Sequence, residues 1–131
     1  MSKKARLNFV RDDSGAVAVE FAIVSSIFIS LLMGVTYLAI VLYTNLSLHW
    51  AVDRAIRTAM INPAVTQTAI TSQVNGFLTG MGLPTATIAY SVSGAPPTAH
   101  ISATMTRSYT VPLISTFNIN YAADAYVATG P

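Results

Sequence analysis

The feature that most constrains this chain is the segment from Phe21 to Leu48, in which none of the 28 residues is lysine, arginine, aspartate or glutamate. A helix that crosses the hydrocarbon core of a bilayer needs about 20 apolar residues. Charged residues make up only 9% of the 131 residues, compared with about 25% in ordinary soluble domains. The sequence therefore predicts a single-pass membrane protein with its span at about residues 21–48, in contact with membrane lipid.

Positive charge is concentrated before this run. The leader, residues 1–15, carries Lys3, Lys4, Arg6 and Arg11 against two aspartates, whereas the rest of the chain has equal numbers of basic and acidic residues. Because lysine and arginine favour the cytoplasmic side of a membrane, the sequence predicts a cytoplasmic N-terminus and a C-terminal part across the membrane. Charge confined to a short leader does not make a nucleic-acid-binding surface, so no nucleic-acid partner is expected.

Small side chains recur at every fourth position in and just before the predicted span. The row consists of Ala18, Ala22, Ser26, Ser30 and Gly34. In lipid, where close packing drives helix association, such a row lets another helix approach, and it is a candidate helix-packing surface. Spanning helices are rich in serine and glycine in any case, so the row alone does not decide between an interface and an ordinary span.

The first helix is predicted to extend beyond the membrane, over residues 16–62. An apolar stripe continues at every fourth position through Leu48, Val52, Ile56 and Met60, and Pro63 ends the helix, since the residue before a proline is disfavoured in helical conformation. Trp50 fits the outer aromatic belt of a membrane protein. Arg54 and Arg57 weakly oppose the predicted orientation, because they would lie on the outer side; Asp53 is spaced to pair with Arg57.

The remaining residues, 63–131, predict a small α+β domain. Apolar residues with helical spacing indicate a short second helix, and these are Ile70, Val74, Phe77, Leu78 and Met81. Beyond Pro84 the apolar residues alternate with polar ones in three runs, "ATIAYSV", "HISATMTRSYTV" and "NINYAADAYV". This alternation predicts a small three-stranded antiparallel sheet with one face on the helices and a Ser/Thr face toward water or a partner. The expected fold class is α+β, with a long N-terminal transmembrane and amphipathic helix.

No enzymatic chemistry is predicted. His49 and His100 fall in different predicted elements, without acidic or histidine neighbours at the spacing of a metal site, and cysteine is absent. Serine and threonine are frequent, but no base with an orienting partner accompanies them. We therefore expect no catalytic residue, no metal site and no cofactor.

The motif "GAVAVEFAIV" adds a specific signal at the start of the helix. Gly15 follows the basic leader, Ala16 comes next, and Glu20 and Phe21 stand five and six residues after the glycine. This arrangement resembles the class III signal of type IV pilins and, more narrowly, the TadE-like minor pilins (pseudopilins) of the Tad/Flp pilus. The resemblance covers about residues 11–42, and the later stretch "WAVDRAIRTAM" looks like the helix that follows the anchor in that family.

The resemblance implies a pilin-like form of this α+β fold and a function in pilus assembly. A prepilin peptidase would cut between Gly15 and Ala16 at the cytoplasmic face, which makes residues 1–15 a prepilin leader. The mature protein would stay in the bacterial inner membrane with its C-terminal domain in the periplasm. It would join other minor and major pilins and the pilus assembly machinery in a homo- or hetero-oligomer used for surface adherence, with entry into the extracellular pilus as a further location.

Glu20 has a physical reason to be retained under this interpretation. A carboxylate at the centre of a spanning helix costs about 2.5–3.5 kcal/mol, and cleavage would create an ammonium group on Ala16 of a neighbouring subunit that could neutralise it. Glu20 and Phe21 are therefore the predicted assembly residues. The alternatives are a major pilin, a pseudopilin of a type II-like secretion system, and an uncleaved single-pass anchor that presents a binding domain.

Overall fold

The computed structural model describes residues 13–62, 64–111 and 115–129. The chain forms two helices followed by three strands. The helices are α1 (Asp13–Ile61) and α2 (Gln67–Gly80), and the strands are β1 (Thr87–Ser93), β2 (Thr98–Val111) and β3 (Ser115–Ala128). This is the predicted α+β fold. The basic residues of the leader and Pro63, the predicted end of the first helix, lie outside the described residues.

The chain divides into two compact units, one ending at Ile40 and the other formed by Val41–Pro131. Within the first unit, large apolar side chains of α1 point outward around the whole helix and have no core to join. Helix α1 is the one described helix that is long and apolar enough to span a membrane, judged by length and composition, and its most apolar window is not buried inside the protein.

Hydroxyl groups in the first unit form hydrogen bonds within the helix itself. The Ser26, Ser30 and Thr36 hydroxyls donate to the carbonyl oxygens of Ala22, Ser26 and Leu32, each over 2.8 Å. An unpaired hydroxyl is costly in hydrocarbon, and a bond to the carbonyl four residues earlier removes that cost. These three hydroxyls are therefore compatible with a lipid environment.

The second unit is built on the C-terminal part of α1, residues 41–61. From Thr44 onward the helix buries one face, whose members are Thr44, Ser47, Leu48, Ala51, Val52, Ala55, Ile56 and Ala59. Val41–Ile61 thus belongs to the same compact unit as the sheet, although the last eight of the 28 residues in the run Phe21–Leu48 lie within this segment.

The sheet is antiparallel, with strand order β1-β2-β3, as predicted. Strand β2 pairs with β1 on one side and with β3 on the other, so that Ile101 lies between Tyr90 and Ala125. The buried positions alternate along β2, as Ala99, Ile101, Ala103, Met105 and Tyr109. The alternation of apolar and polar residues in the sequence therefore identified the inner face of the sheet correctly.

Helix α2 has a defined start and end. Thr66 is its N-cap and accepts a hydrogen bond from the Ala69 amide over 3.3 Å. At the other end, Gly82 takes φ +71°, and the amides of Gly82 and Leu83 donate to the carbonyls of Thr79 and Leu78 over 3.0 and 2.9 Å. This is a Schellman motif. It favours glycine at the position of Gly82, because the residue there has a left-handed backbone conformation.

Two amide side chains of α2 hold the start of β1. Asn75 donates to the Ala86 carbonyl over 3.2 Å and accepts from the Ala86 amide over 2.8 Å. Gln67 donates to the Ile88 carbonyl over 3.2 Å. Backbone groups at the beginning of this edge strand would otherwise lack hydrogen-bond partners, and the side chains of α2 provide them.

Candidate functional site

The residues of the predicted cleavage and assembly site lie on the first turns of α1. Gly15, Ala16, Glu20 and Phe21 are all helical and exposed, and Phe21 is 72% exposed. Ala16 and Glu20 are four residues apart and so lie one turn apart on the same side of the helix. Glu20 has no ion pair within the described part of the chain. The helix presents this site to an external partner, while its roles in cleavage and assembly stay predictions.

The predicted packing row is also exposed along the same helix. Each of its members, Ala18, Ala22, Ser26, Ser30 and Gly34, faces outward. A Cβ placed on Gly34 would meet no other atom within 4 Å, so the described chain leaves open space beside this glycine. The row is accessible to another helix, and its use as an interface stays a prediction.

Glu20 and the start of the packing row lie on opposite sides of α1. At 100° per residue, Glu20 is about 200° around the helix axis from Ala18. The row drifts by about 40° with each four-residue step, so Ala22 is also far from the face of Glu20. A single neighbouring helix therefore cannot contact both Glu20 and the start of the packing row at the same position along the axis of α1.

A chain of polar side chains connects α1 to the inner face of the sheet. The Arg107 guanidinium donates to the Thr44 hydroxyl over 3.0 Å, and Thr44 is 3.3 Å from the Tyr109 hydroxyl. The Tyr109 and Tyr121 hydroxyls are 2.6 Å apart. The Arg107 guanidinium also lies 5.4 Å from the centre of the Tyr109 ring. This buried network was not predicted, because Thr44 falls within the uncharged run and Arg107 stands among polar residues.

Burial and hydrogen bonding to Tyr109 raise the pKa of the Tyr121 hydroxyl to about 12, although the nearby Arg107 charge acts in the opposite direction. Tyr121 is 3% exposed. The folded protein therefore holds the Tyr121 proton more tightly than the unfolded chain, whose tyrosines titrate near pH 10.

We predict that Tyr121→Phe lowers the free energy of unfolding at pH 7 by about 1–2 kcal/mol, because the variant removes a buried hydrogen bond. In the wild type, the stabilisation linked to the raised pKa is fully present below pH 10 and is lost as the pH rises through about 12. The loss of stability between pH 9 and 12 should be smaller in the variant. Denaturant unfolding of the full chain in detergent, followed by tyrosine circular dichroism, measures both effects.

Tyr90 provides a matched control for this measurement. Its hydroxyl is buried and has no hydrogen-bond partner among the described residues. Tyr90→Phe should therefore leave the free energy of unfolding unchanged or slightly raised. Equal losses in the two variants would show that the hydrogen bond between Tyr109 and Tyr121 does not stabilise the domain.

The outer face of the sheet carries a row of cross-strand polar pairs. The Thr106 and Ser108 hydroxyls donate to the side chains of Asn120 and Asn118 over 2.7 and 2.6 Å. The predicted Ser/Thr face thus satisfies many of its hydrogen bonds within the sheet.

His100 lies on the same outer face and has an acidic partner. Its Nε2 is 3.2 Å from Asp124 Oδ1, and its ring stacks on Tyr126 with centres 4.1 Å apart. This pair was not predictable from residue spacing, since it depends on the register of β2 and β3. Among the described residues, no group of three or more His, Cys, Asp or Glu side chains is suited to hold a metal ion.

The predicted pair between Asp53 and Arg57 is not formed in the described structure. Both side chains are exposed on α1, beside Trp50 and Arg54. Solvent and flexible side chains make such exposed pairs weak, which explains why spacing alone was insufficient.

Comparison with known proteins gives a family match within the first helix. A family model described as TadE-like protein matches residues 15–57. The match begins at Gly15 and includes Glu20, Phe21 and the whole packing row. Comparisons with curated proteins and with solved structures give no match. Residues 15–57 of this chain, 43 of its 131 residues, are thus similar to the TadE-like family.

Proposed function

We propose that this chain is a minor pilin that is processed by a prepilin peptidase and takes part in the assembly or initiation of a Tad/Flp pilus for surface adherence. The observation that carries the proposal is that the TadE-like match starts at Gly15, the residue before the proposed scissile bond. Cleavage between Gly15 and Ala16 removes the basic leader and leaves an apolar helix with a free ammonium group at its N-terminus.

The exposed helix supports this proposal. In the first unit the side chains of α1 lack a core of their own, so the segment needs lipid or other helices as its surroundings. In the proposed orientation, the N-terminus faces the cytoplasm and the C-terminal domain lies in the periplasm. The basic leader accounts for this orientation through the retention of positive charge in the cytoplasm.

Assembly is proposed to use two faces of the helix. Glu20 of one subunit pairs with the ammonium group of Ala16 on a neighbour, while the row that starts at Ala18 packs against a different neighbour. Because these faces are about 200° apart, each subunit has two distinct contacts. Head-to-tail contacts of this kind produce open assemblies rather than closed pairs. The partners are other minor and major pilins and the assembly machinery, and no catalytic residue is required of this chain.

The identity of the N-terminal residue tests the proposal directly. Protein purified from the membrane of its own host should begin at Ala16 when a prepilin peptidase is active, and it should begin at Met1 when that peptidase is deleted. Intact-mass spectrometry distinguishes the two forms. A functional, membrane-bound form that retains residues 1–15 in the presence of the peptidase would contradict the proposal and favour an uncleaved anchor.

A further inference from the structure

An exposed cleft lies on α1 beyond the uncharged run, on the side that does not pack on the sheet. Among the described residues, the cleft is lined by Trp50, Asp53, Arg54 and Arg57 and has a volume of about 430 Å³. These positions follow one another with the spacing of one helix face. The indole of Trp50 is 64% exposed. The cleft therefore combines an open aromatic surface with two guanidinium groups and one carboxylate.

The guanidinium groups of this cleft have no acidic partner in the described structure. Arg54 and Arg57 form no ion pair or side-chain hydrogen bond there, whereas Arg107 donates to Thr44. Two arginines also stand on the side of the membrane where positive charge is disfavoured by the orientation rule. An anionic ligand would give these two side chains the partner that the chain itself does not supply.

The exposed face that leads to the cleft changes from apolar to basic. Leu42 and Leu46 are 60% and 58% exposed, and Trp50 follows at the same four-residue spacing. Arg54 is the next residue in that row. Leucine, then tryptophan, then arginine is the order expected where a helix passes from hydrocarbon through the interface into the headgroup layer.

We propose that this cleft binds the headgroup of an acidic phospholipid in the leaflet next to the C-terminal domain. Arg54 and Arg57 contact the phosphate, for which a guanidinium has a matching fork of donors, and Trp50 lies against the upper part of the lipid. With two positive charges and one negative charge from Asp53, the cleft carries one net positive charge. That charge suits a phosphodiester with a single negative charge, such as phosphatidylglycerol.

This inference rests on the insertion of α1 into a membrane, and it does not depend on removal of the leader. The two proposals can therefore fail separately. Loss of lipid preference would leave the mass of the mature chain unchanged, and an uncleaved chain would still contain the complete cleft.

Trp50 is the only tryptophan of the chain, so its fluorescence reports on this site alone. The experiment uses the full chain, leader included, in nanodiscs of phosphatidylcholine that contain either brominated phosphatidylglycerol or brominated phosphatidylcholine. Bromine quenches a nearby indole, and the dependence of quenching on lipid fraction gives the relative affinity. We expect about a fivefold preference for phosphatidylglycerol, which is the effect of one net charge near a membrane surface.

The double variant R54Q/R57Q should reduce this preference to about one. A charge-matched control, R6Q/R11Q, removes two positive charges from the leader and should keep the preference. Circular dichroism confirms that each variant retains its helices. An unchanged preference in R54Q/R57Q, an equal loss in the two double variants, or no quenching of Trp50 by either lipid would overturn the proposal.

A last arm separates a lipid headgroup from a soluble anion. Glycerol phosphate is added to the chain in nanodiscs of phosphatidylcholine alone, at constant ionic strength. The Trp50 emission should stay unchanged up to millimolar concentrations. A shift equal to that caused by phosphatidylglycerol would assign the cleft to a soluble phosphate ester and overturn the lipid assignment.

Discussion

A Gly15→Val chain is expected to keep its leader in a host whose prepilin peptidase is active, and to accumulate in the membrane as the full-length form. The reason is steric, since a branched side chain directly before the scissile bond would obstruct entry into the peptidase. The helix itself can accept the change, because a Cβ built on Gly15 meets no atom within 4 Å and valine is no worse a helix former than glycine. Intact-mass spectrometry of membrane fractions measures the result.

Gly34 offers a matched control for this variant. It lies in the same helix and also has no atom within 4 Å of a built Cβ. Gly34→Val makes the same chemical change 19 residues further along, and it should be processed normally. If both variants are processed, a small residue before the bond is not required and the proposed cleavage site is wrong. If neither is processed, the defect lies in insertion.

A Glu20→Ala chain is expected to insert and to be cleaved, but to lose nearly all piliation. The described chain provides no ion pair for Glu20, so its carboxylate is available to the ammonium group of a neighbouring subunit. Removing the carboxylate leaves that ammonium group without a partner in a medium of low polarity, where breaking a buried pair costs about 3–5 kcal/mol. Counting pili by electron microscopy and measuring surface attachment test this expectation.

Two further variants separate charge from shape. Glu20→Gln keeps the size of the side chain and should fail in the same way as Glu20→Ala. Asp124→Asn removes another carboxylate, at an exposed position of β3 outside both proposed sites, and should assemble normally. Wild-type piliation in the glutamine variant would show that the charge of residue 20 is dispensable and would remove the pairing from the proposed mechanism.

Much of the fold was predictable from the spacing of apolar residues. In β2, the alternation that places Ile101, Ala103 and Met105 on one face is visible in the sequence, and the structure buries the same three residues. The C-terminal end of α2 was also predictable, since Gly82 adopts the left-handed backbone conformation that the Schellman motif requires. These features depend on residues close together in the chain.

Other features depend on tertiary placement and could not be derived from spacing. Thr44 belongs to an uncharged run that resembles a membrane span throughout, but it is fully buried against the sheet, because hydropathy does not distinguish lipid from a protein core. The pair of His100 and Asp124 needs the register of two strands. The cleavage motif, in contrast, was recognised from its residues, because it is a contiguous recognition sequence rather than a folded site.

The amide side chains of α2 have a consequence for self-association. The unpaired backbone groups of an edge strand are a template onto which another chain can add a strand. Where β1 begins, Asn75 and Gln67 already occupy such groups of Ala86 and Ile88, so an incoming strand would first have to displace them. In the assembly proposed above, where many copies meet, these bonds would lower the risk of misdirected sheet pairing at the start of β1.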